Sequence, residues 1–132
     1  MKSMKEICKN CGICCQNTEM LLSEQDIRLI EEKLLNITRN DFTELNERGM
    51  HQLKNKNSHC VFLDNSSKMC TIYKIRPQGC RFYPIVYDYN KKVCLYDRDC
   101  PRVKKFYLDD YKFKKVCEKI KNFIKSGLKV KL

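Results

Sequence analysis

No stretch of this 132-residue chain approaches the ~20 consecutive apolar residues of a membrane-spanning helix, and its mean hydropathy is negative at −0.58. A helical membrane protein is excluded. The start, MKSMKEICKNCGICC, lacks the apolar centre of a signal peptide, so the expectation is a cytoplasmic protein. No GxGxxG and no P-loop is present, and no nucleotide or methyl-donor site is expected. An autonomous enzyme is therefore not expected. The chain also lacks internal repeats, low-complexity tracts and linkers rich in Pro, Gly or Ser. One domain over 1–132 follows, with a core of modest size.

What the chain has instead is cysteine: ten residues, roughly 8% of the total and near the level of a cysteine-built chain. In an exported protein that number would mean disulfides. In a reducing compartment it means metal ligation, with disulfides and redox-active thiols as minor alternatives.

The net charge of +11 is uneven. Residues 102–132 carry eleven Lys or Arg against three acids, and residues 1–101 sixteen against thirteen. Such a tail can seek nucleic acid, an acidic partner or a membrane surface. Its Lys, Phe and Tyr interleave as in single-strand binders. However, Phe106, Phe113, Val116, Ile120, Phe123 and Ile124 recur at helical spacing, so the aromatics face a core and the lysines solvate the other face. The expectation is weak, unspecific nucleic-acid attraction, no membrane binding, and a protein partner whose identity the sequence does not give.

The fold class expected is α+β: short strands and metal-binding loops packed against a long C-terminal helix, about 103–126, with one or two shorter helices. Residues 23–35 read as a helix capped by Ser23, with Asp26 completing an approximate capping box. Ile27, Ile30, Leu34 and Leu35 would share its apolar face. Asp41 to Arg48 suggests a second short helix. Residues 51–98 hold short aromatic and β-branched segments, with turns expected at NSSK (65–68) and at Asn90–Lys91.

Cys8, Cys11 and Cys14 have the C-x2-C-x2-C spacing of bacterial-type [4Fe–4S] sites, which a distant fourth cysteine completes. Half of that spacing also serves zinc knuckles. Gly12 permits a tight reversal between these ligands. Cys15 adjoins Cys14, and adjacent side chains diverge, so the pair is expected to reach different metals or sites. The alternative is that one of them is a small buried hydrophobe. Cys60, Cys70 and Cys80 follow at intervals of ten, in CVFLDNSSKMCTIYKIRPQGCRFYP.

Together, CKNCGICC (8–15), CVFL (60–63), CTIY (70–73) and RPQGCRFYP (76–84) resemble the CxxCxxCC cysteine-cluster family of zinc- or iron-chelating domains. The match spans roughly 8–101, and Tyr83 stands where Phe is usual. Carried over by position, the resemblance implies Cys8, Cys11, Cys14, Cys15, Cys60, Cys70 and Cys80 as metal ligands, plus one later cysteine. Cys100 is chosen over Cys94 because it precedes Pro101, a C-P close common at cluster sites. Cys94, alternating within KKVCLY, and Cys117, between Val116 and Ile120, are read as core. Pro77 and Pro84 would stiffen the chain around Cys80, and Gly79 would let its backbone approach the metal. Arg76 and Arg81 are candidate donors to the thiolates from just outside the ligand set. Tyr73, Phe82 and Tyr83 would exclude water. His59 could replace a cysteine, and His51 is read as surface. The expected cofactor is an iron–sulfur cluster, [4Fe–4S], serving electron transfer or a partner enzyme. The alternative is a zinc-stabilised interaction module.

Overall fold

The computed structural model describes Ile7, Cys8 and residues 11–132. Lys9 and Asn10 of the cysteine knuckle, and residues 1–6, lie outside the described residues. The architecture is α+β, as the patterning implies: helices joined to four two-stranded antiparallel hairpins.

Helix α1 (Glu24–Lys33) opens on Ser23, whose hydroxyl accepts from the Asp26 N–H while Asp26 accepts from the Ser23 N–H. Ile27 and Ile30 are fully buried on its inner face. The apolar stripe ends earlier than its spacing suggests. Leu34 already has extended backbone as the C-cap, so Leu35 leaves the helical register and stands 87% exposed. The expected helix at 41–48 is also displaced. A single turn, α2 (Arg39–Phe42), carries Phe42 into the core, and the chain then extends as β1 (Thr43–Leu45) against β2 (His51–Leu53). β-branched Thr43 suits a pleated segment better than a helix.

Three hairpins follow, two with strands of two residues and one with strands of four. These are β3 (Asn55–Lys56) with β4 (His59–Cys60), β5 (Leu63–Asp64) with β6 (Met69–Cys70), and β7 (Ile85–Asp88) with β8 (Val93–Tyr96). The turns expected at 65–68 and 90–91 lie between β5 and β6 and between β7 and β8. Between these hairpins sits the short helix α3 (Gln78–Phe82), followed by a cis Tyr83–Pro84 bond. Isolated hairpins are marginal in water, so these depend on what they pack against.

Two apolar clusters provide that. The first gathers Ile27, Ile30, Phe42, Leu53, Phe62, Leu63 and Ile72, with Cys15, Cys70 and Cys80 against it. The second gathers Ile85, Ile120, Phe123 and Ile124. Phe82 joins them, edge-on to Phe123 at 6.0 Å between ring centres. The C-terminal helix supplies the second cluster but starts later than 103. Residues Val103–Phe106 form a 3-10 turn, and α4 (Asp110–Asn122) begins only where Asp109 accepts from the Lys112 N–H as N-cap. A π turn over Phe123–Gly127 extends it. No helix among the described residues is long and apolar enough to cross a membrane.

Cys94 and Cys117 both pack in the second apolar cluster, as their apolar surroundings imply, but the minor place given to disulfides is corrected. They are joined by a disulfide that ties β8 to α4, with their Cα atoms 5.8 Å apart. The cause is the packing itself. β8 and α4 each turn their apolar face inward, and both cysteines lie on those faces.

Candidate metal centre

Eight cysteines remain free: Cys8, Cys11, Cys14, Cys15, Cys60, Cys70, Cys80 and Cys100. The knuckle is shaped by Gly12, whose φ of +62° lies in the left-handed region and starts the 3-10 turn Ile13–Cys15. A Cβ there would lie 3.2 Å from Lys68 Cβ and 3.3 Å from Leu63 Cδ1, so the knuckle sits directly on the β5–β6 hairpin. That hairpin carries Cys70, paired with Leu63, and β4 delivers Cys60 from the adjacent hairpin. Cys80 lies mid-way along α3. The Gln78 N–H donates to Asp26 Oδ1 at 3.1 Å, so the capping carboxylate of α1 also anchors the helix bearing Cys80. Cys100 follows the β7–β8 hairpin, and Arg102 beside it donates to the Ile7 carbonyl at 2.6 Å. The C-P turn is thereby fastened next to Cys8.

A cavity of about 70 Å³ has Cys8, Cys14, Cys15, Cys60, Cys70 and Cys80 in its walls, together with Arg76. That is roughly five times the space one water molecule needs. The thiols form two neighbourhoods by mutual electrostatic influence. Cys15, Cys60, Cys70 and Cys80 make one, Cys8, Cys11 and Cys100 the other, and Cys14 belongs to both. As they stand, no three Cys, His, Asp or Glu side chains among the described residues clasp one point tightly enough to hold a single ion. They ring a space.

Burial governs their acidity. It pushes Cys8 and Cys60 up to about 11 and raises Cys70, Cys80 and Cys100 as well. Cys14 is the exception. The hydrogen bond from the Cys15 thiol brings it down to about 7 against the opposing effect of burial, while raising Cys15. The expected divergence of these neighbours is thus partial: their sulfurs meet, although Cys15 faces Cys60 and Cys70. Arg76 opposes burial at Cys8, Cys70 and Cys80 and adds to the lowering at Cys14. Its guanidinium lies 3.9 Å above the Tyr73 ring and donates to the carbonyls of Tyr73 and Cys80. Arg81, its expected companion, is exposed on α3.

Tyr73 and Tyr83 line the cavity, while Phe82 faces the second apolar cluster. Gly79 faces Met20, which a Cβ would strike. His59 Nδ1 lies 3.0 Å from the Cys60 carbonyl. His51 is half-buried with Nδ1 unpartnered, not the surface residue expected. One group escaped the sequence reading. Asp97 accepts from the Tyr83 hydroxyl at 2.8 Å and raises both Cys14 and Cys100. Its position three residues before Cys100 was the available signal.

The donor set, soft thiols in an apolar wall with one guanidinium, suits zinc or an iron–sulfur cluster and suits hard cations poorly. Comparison with known proteins agrees. The model of the CxxCxxCC family, described as a "putative zinc- or iron-chelating domain", matches residues 7–118. An uncharacterised protein of Methanocaldococcus jannaschii is 31% identical over 84 residues, covering 58% of this chain and 43% of the relative. The chain thus spans less than half that relative's length. No solved structure matches the chain.

Proposed function

We propose, since this chain belongs to the CxxCxxCC family, that its thiol-lined cavity holds an iron–sulfur cluster of the [4Fe–4S] type and that the loaded protein carries electrons or supports a partner enzyme. The observation that carries this reading is the cavity: six thiols around a space larger than one ion requires, walled by apolar side chains. Cys15, Cys60, Cys70 and Cys80 form the inner ligand set, and Cys8, Cys11, Cys14 and Cys100 the outer one. A bound cluster would supply one-electron exchange. The chain's own contribution is to exclude water, to give up thiol protons on loading, and to offset thiolate charge with Arg76.

Zinc is the second reading, favoured by one feature. Cys15, Cys60, Cys70 and Cys80, which line the same cavity, supply the number of thiols a closed structural zinc site takes. The deciding experiment is anaerobic purification with an absorption spectrum and counts of iron, sulfide and zinc per chain. Iron and sulfide in equal amounts, with visible charge-transfer absorption, support the cluster. Stoichiometric zinc without sulfide overturns it in favour of the interaction module.

A cytoplasmic location belongs to the same reading. Eight free thiols are what a reducing compartment preserves, and the Cys94–Cys117 disulfide is the feature that argues the other way. Thiol counts on freshly lysed cells, with and without reductant, distinguish the two.

A further inference from the structure

A second cleft, of about 670 Å³, opens between segment 16–21 and the unit formed by β7, β8 and α4. This lies within the range of ligand sites, roughly 300–1,000 Å³. Its lining is unlike the rest of the surface. Lys and Arg make up 27 of the 132 residues, yet none of the 21 lining residues is Lys, Arg or His. Three are carboxylates, Glu19, Asp97 and Asp99. Glu19 and Asp99 are exposed, whereas Asp97 is half-buried and held by the Tyr83 hydroxyl. Tyr87 and Tyr89 stand edge-to-face at 5.1 Å on one wall, and apolar side chains of α4 and the π turn make the floor. Basic side chains stay at the margin; Arg48 is close enough to act on the Tyr89 hydroxyl but does not line the cleft.

We propose that this cleft binds a basic, extended segment of a partner polypeptide, seating its aliphatic stems on the apolar floor and its cationic heads on Glu19, Asp97 and Asp99. Charge selects the occupant. Phosphate-bearing or acidic ligands would meet three carboxylates and no cation, whereas ammonium and guanidinium groups gain both carboxylate contacts and tyrosine faces. Shape selects a polypeptide over a free small cation. Two unbroken runs, residues 16–21 and the strand residues Ile85–Tyr87, line the walls, which suits an elongated occupant. Among the described residues β7 pairs with β8 alone, which leaves its other edge for main-chain hydrogen bonds with an added strand. The chain's +11 repels a basic peptide at long range, but at physiological salt that repulsion is screened beyond ~8 Å, and contacts within the cleft decide. The inference does not depend on which metal the thiols hold. Cys14, which lines both spaces, would place the bound segment beside the metal centre.

The test uses the full chain as purified and a dye-labelled ten-residue peptide alternating lysine and threonine, with glutamate–threonine and spermidine as comparisons, all at physiological salt. Binding of the lysine peptide alone, weakened roughly tenfold in the double variant E19Q/D99N, is the expected result. Hydrogen exchange on the unmodified protein gives an independent reading, with peptide-dependent protection expected at Gln16–Leu21 and Ile85–Tyr89. Undiminished binding by the double variant, protection confined to other segments, or equal binding of the glutamate peptide overturns the proposal. Spermidine binding as tight as the peptide's overturns the polypeptide occupant. Metal counts are read in parallel and do not enter these outcomes, so failure here leaves the cluster reading standing.

Discussion

Burial holds Cys8 and Cys60 protonated well past the range of a free thiol, and the consequence for the metal-free protein has a definite sign. A thiol whose folded pKa is about 11, against 9.0 unfolded, binds its proton more tightly in the fold. Its stabilising contribution is complete below pH 9 and is lost as pH rises towards 11. That loss falls on the metal-free chain, which chelation already destabilises. The metal-loaded protein, its thiols already ionised, should hold a level melting temperature from pH 9 to 11; melting curves across this window check it. Substitution separates the cysteines further. Serine at Cys8, Cys11, Cys14, Cys60, Cys70 or Cys80 should sharply lower bound metal, measured per chain. Cys117→Ser should leave metal near the unsubstituted level while removing the disulfide. Its loop closes 23 residues, worth about 3 kcal/mol in the chain-entropy account. Loss of metal in Cys117→Ser would mean that the C-terminal helix bears on the centre.

At the scale of elements, one sequence signature occurs twice with different consequences. Ser23 and Thr38 are each followed three residues on by an aspartate that accepts from the cap N–H. Asp41 is exposed and, among the described residues, accepts further only from the Thr38 hydroxyl in its own cap, whereas Asp26 is buried and also receives Gln78. Asp26→Ala should cost on the order of 2–3 kcal/mol, because it removes a cap and strands the Gln78 N–H. Asp41→Ala should cost about 1 kcal/mol or less. Denaturant unfolding at fixed metal load distinguishes them. The comparison also marks what was readable. Local signals were: the Ser23 cap, Gly12 at the knuckle, and the turns at 65–68 and 90–91 all depend on residues close in sequence. Contacts across 52 residues, such as Asp26 with Gln78, leave no trace in periodicity. Spacing also cannot say where a helix stops. Leu35 continued the stripe on paper but follows a backbone already extended, and the start of α4 waited on Asp109. The Cys94–Cys117 bond was hidden because each cysteine sits in an apolar pattern that core packing explains equally well.

For the whole molecule, the first cluster draws its inner face from short hairpins and from cysteines themselves, so metal loading and folding should be one event. Binding a structural metal is worth on the order of 10 kcal/mol in small peptides, comparable with the stability of a domain. Chelation under reducing conditions should abolish the near-UV signal and cooperative melting. A reduced, metal-free chain that still melts cooperatively at the same temperature would break this link. The basic C-terminal region poses the remaining question of scale. Lys112, Lys114, Lys115, Lys119 and Lys125 are exposed along α4 and its π turn, and Lys121 is half-buried, while Ile120, Phe123 and Ile124 face inward. The aromatics that single-strand binding would need for stacking are partly committed to the interior: Phe113 packs on Tyr96 at 5.1 Å. Tyr107 and Tyr111 remain exposed, but Tyr107 leans on Tyr96, and Lys115 covers the Tyr111 ring. The lysines thus act as a diffuse field. Phosphate contacts release counterions, with a log–log slope near −0.9 per contact on duplex DNA. Binding to single- and double-stranded oligonucleotides should appear at low salt, show no sequence preference, and vanish near physiological salt. A salt titration measures this directly. Sub-micromolar affinity persisting at physiological salt, and lost when these lysines are neutralised, would make the region a nucleic-acid site.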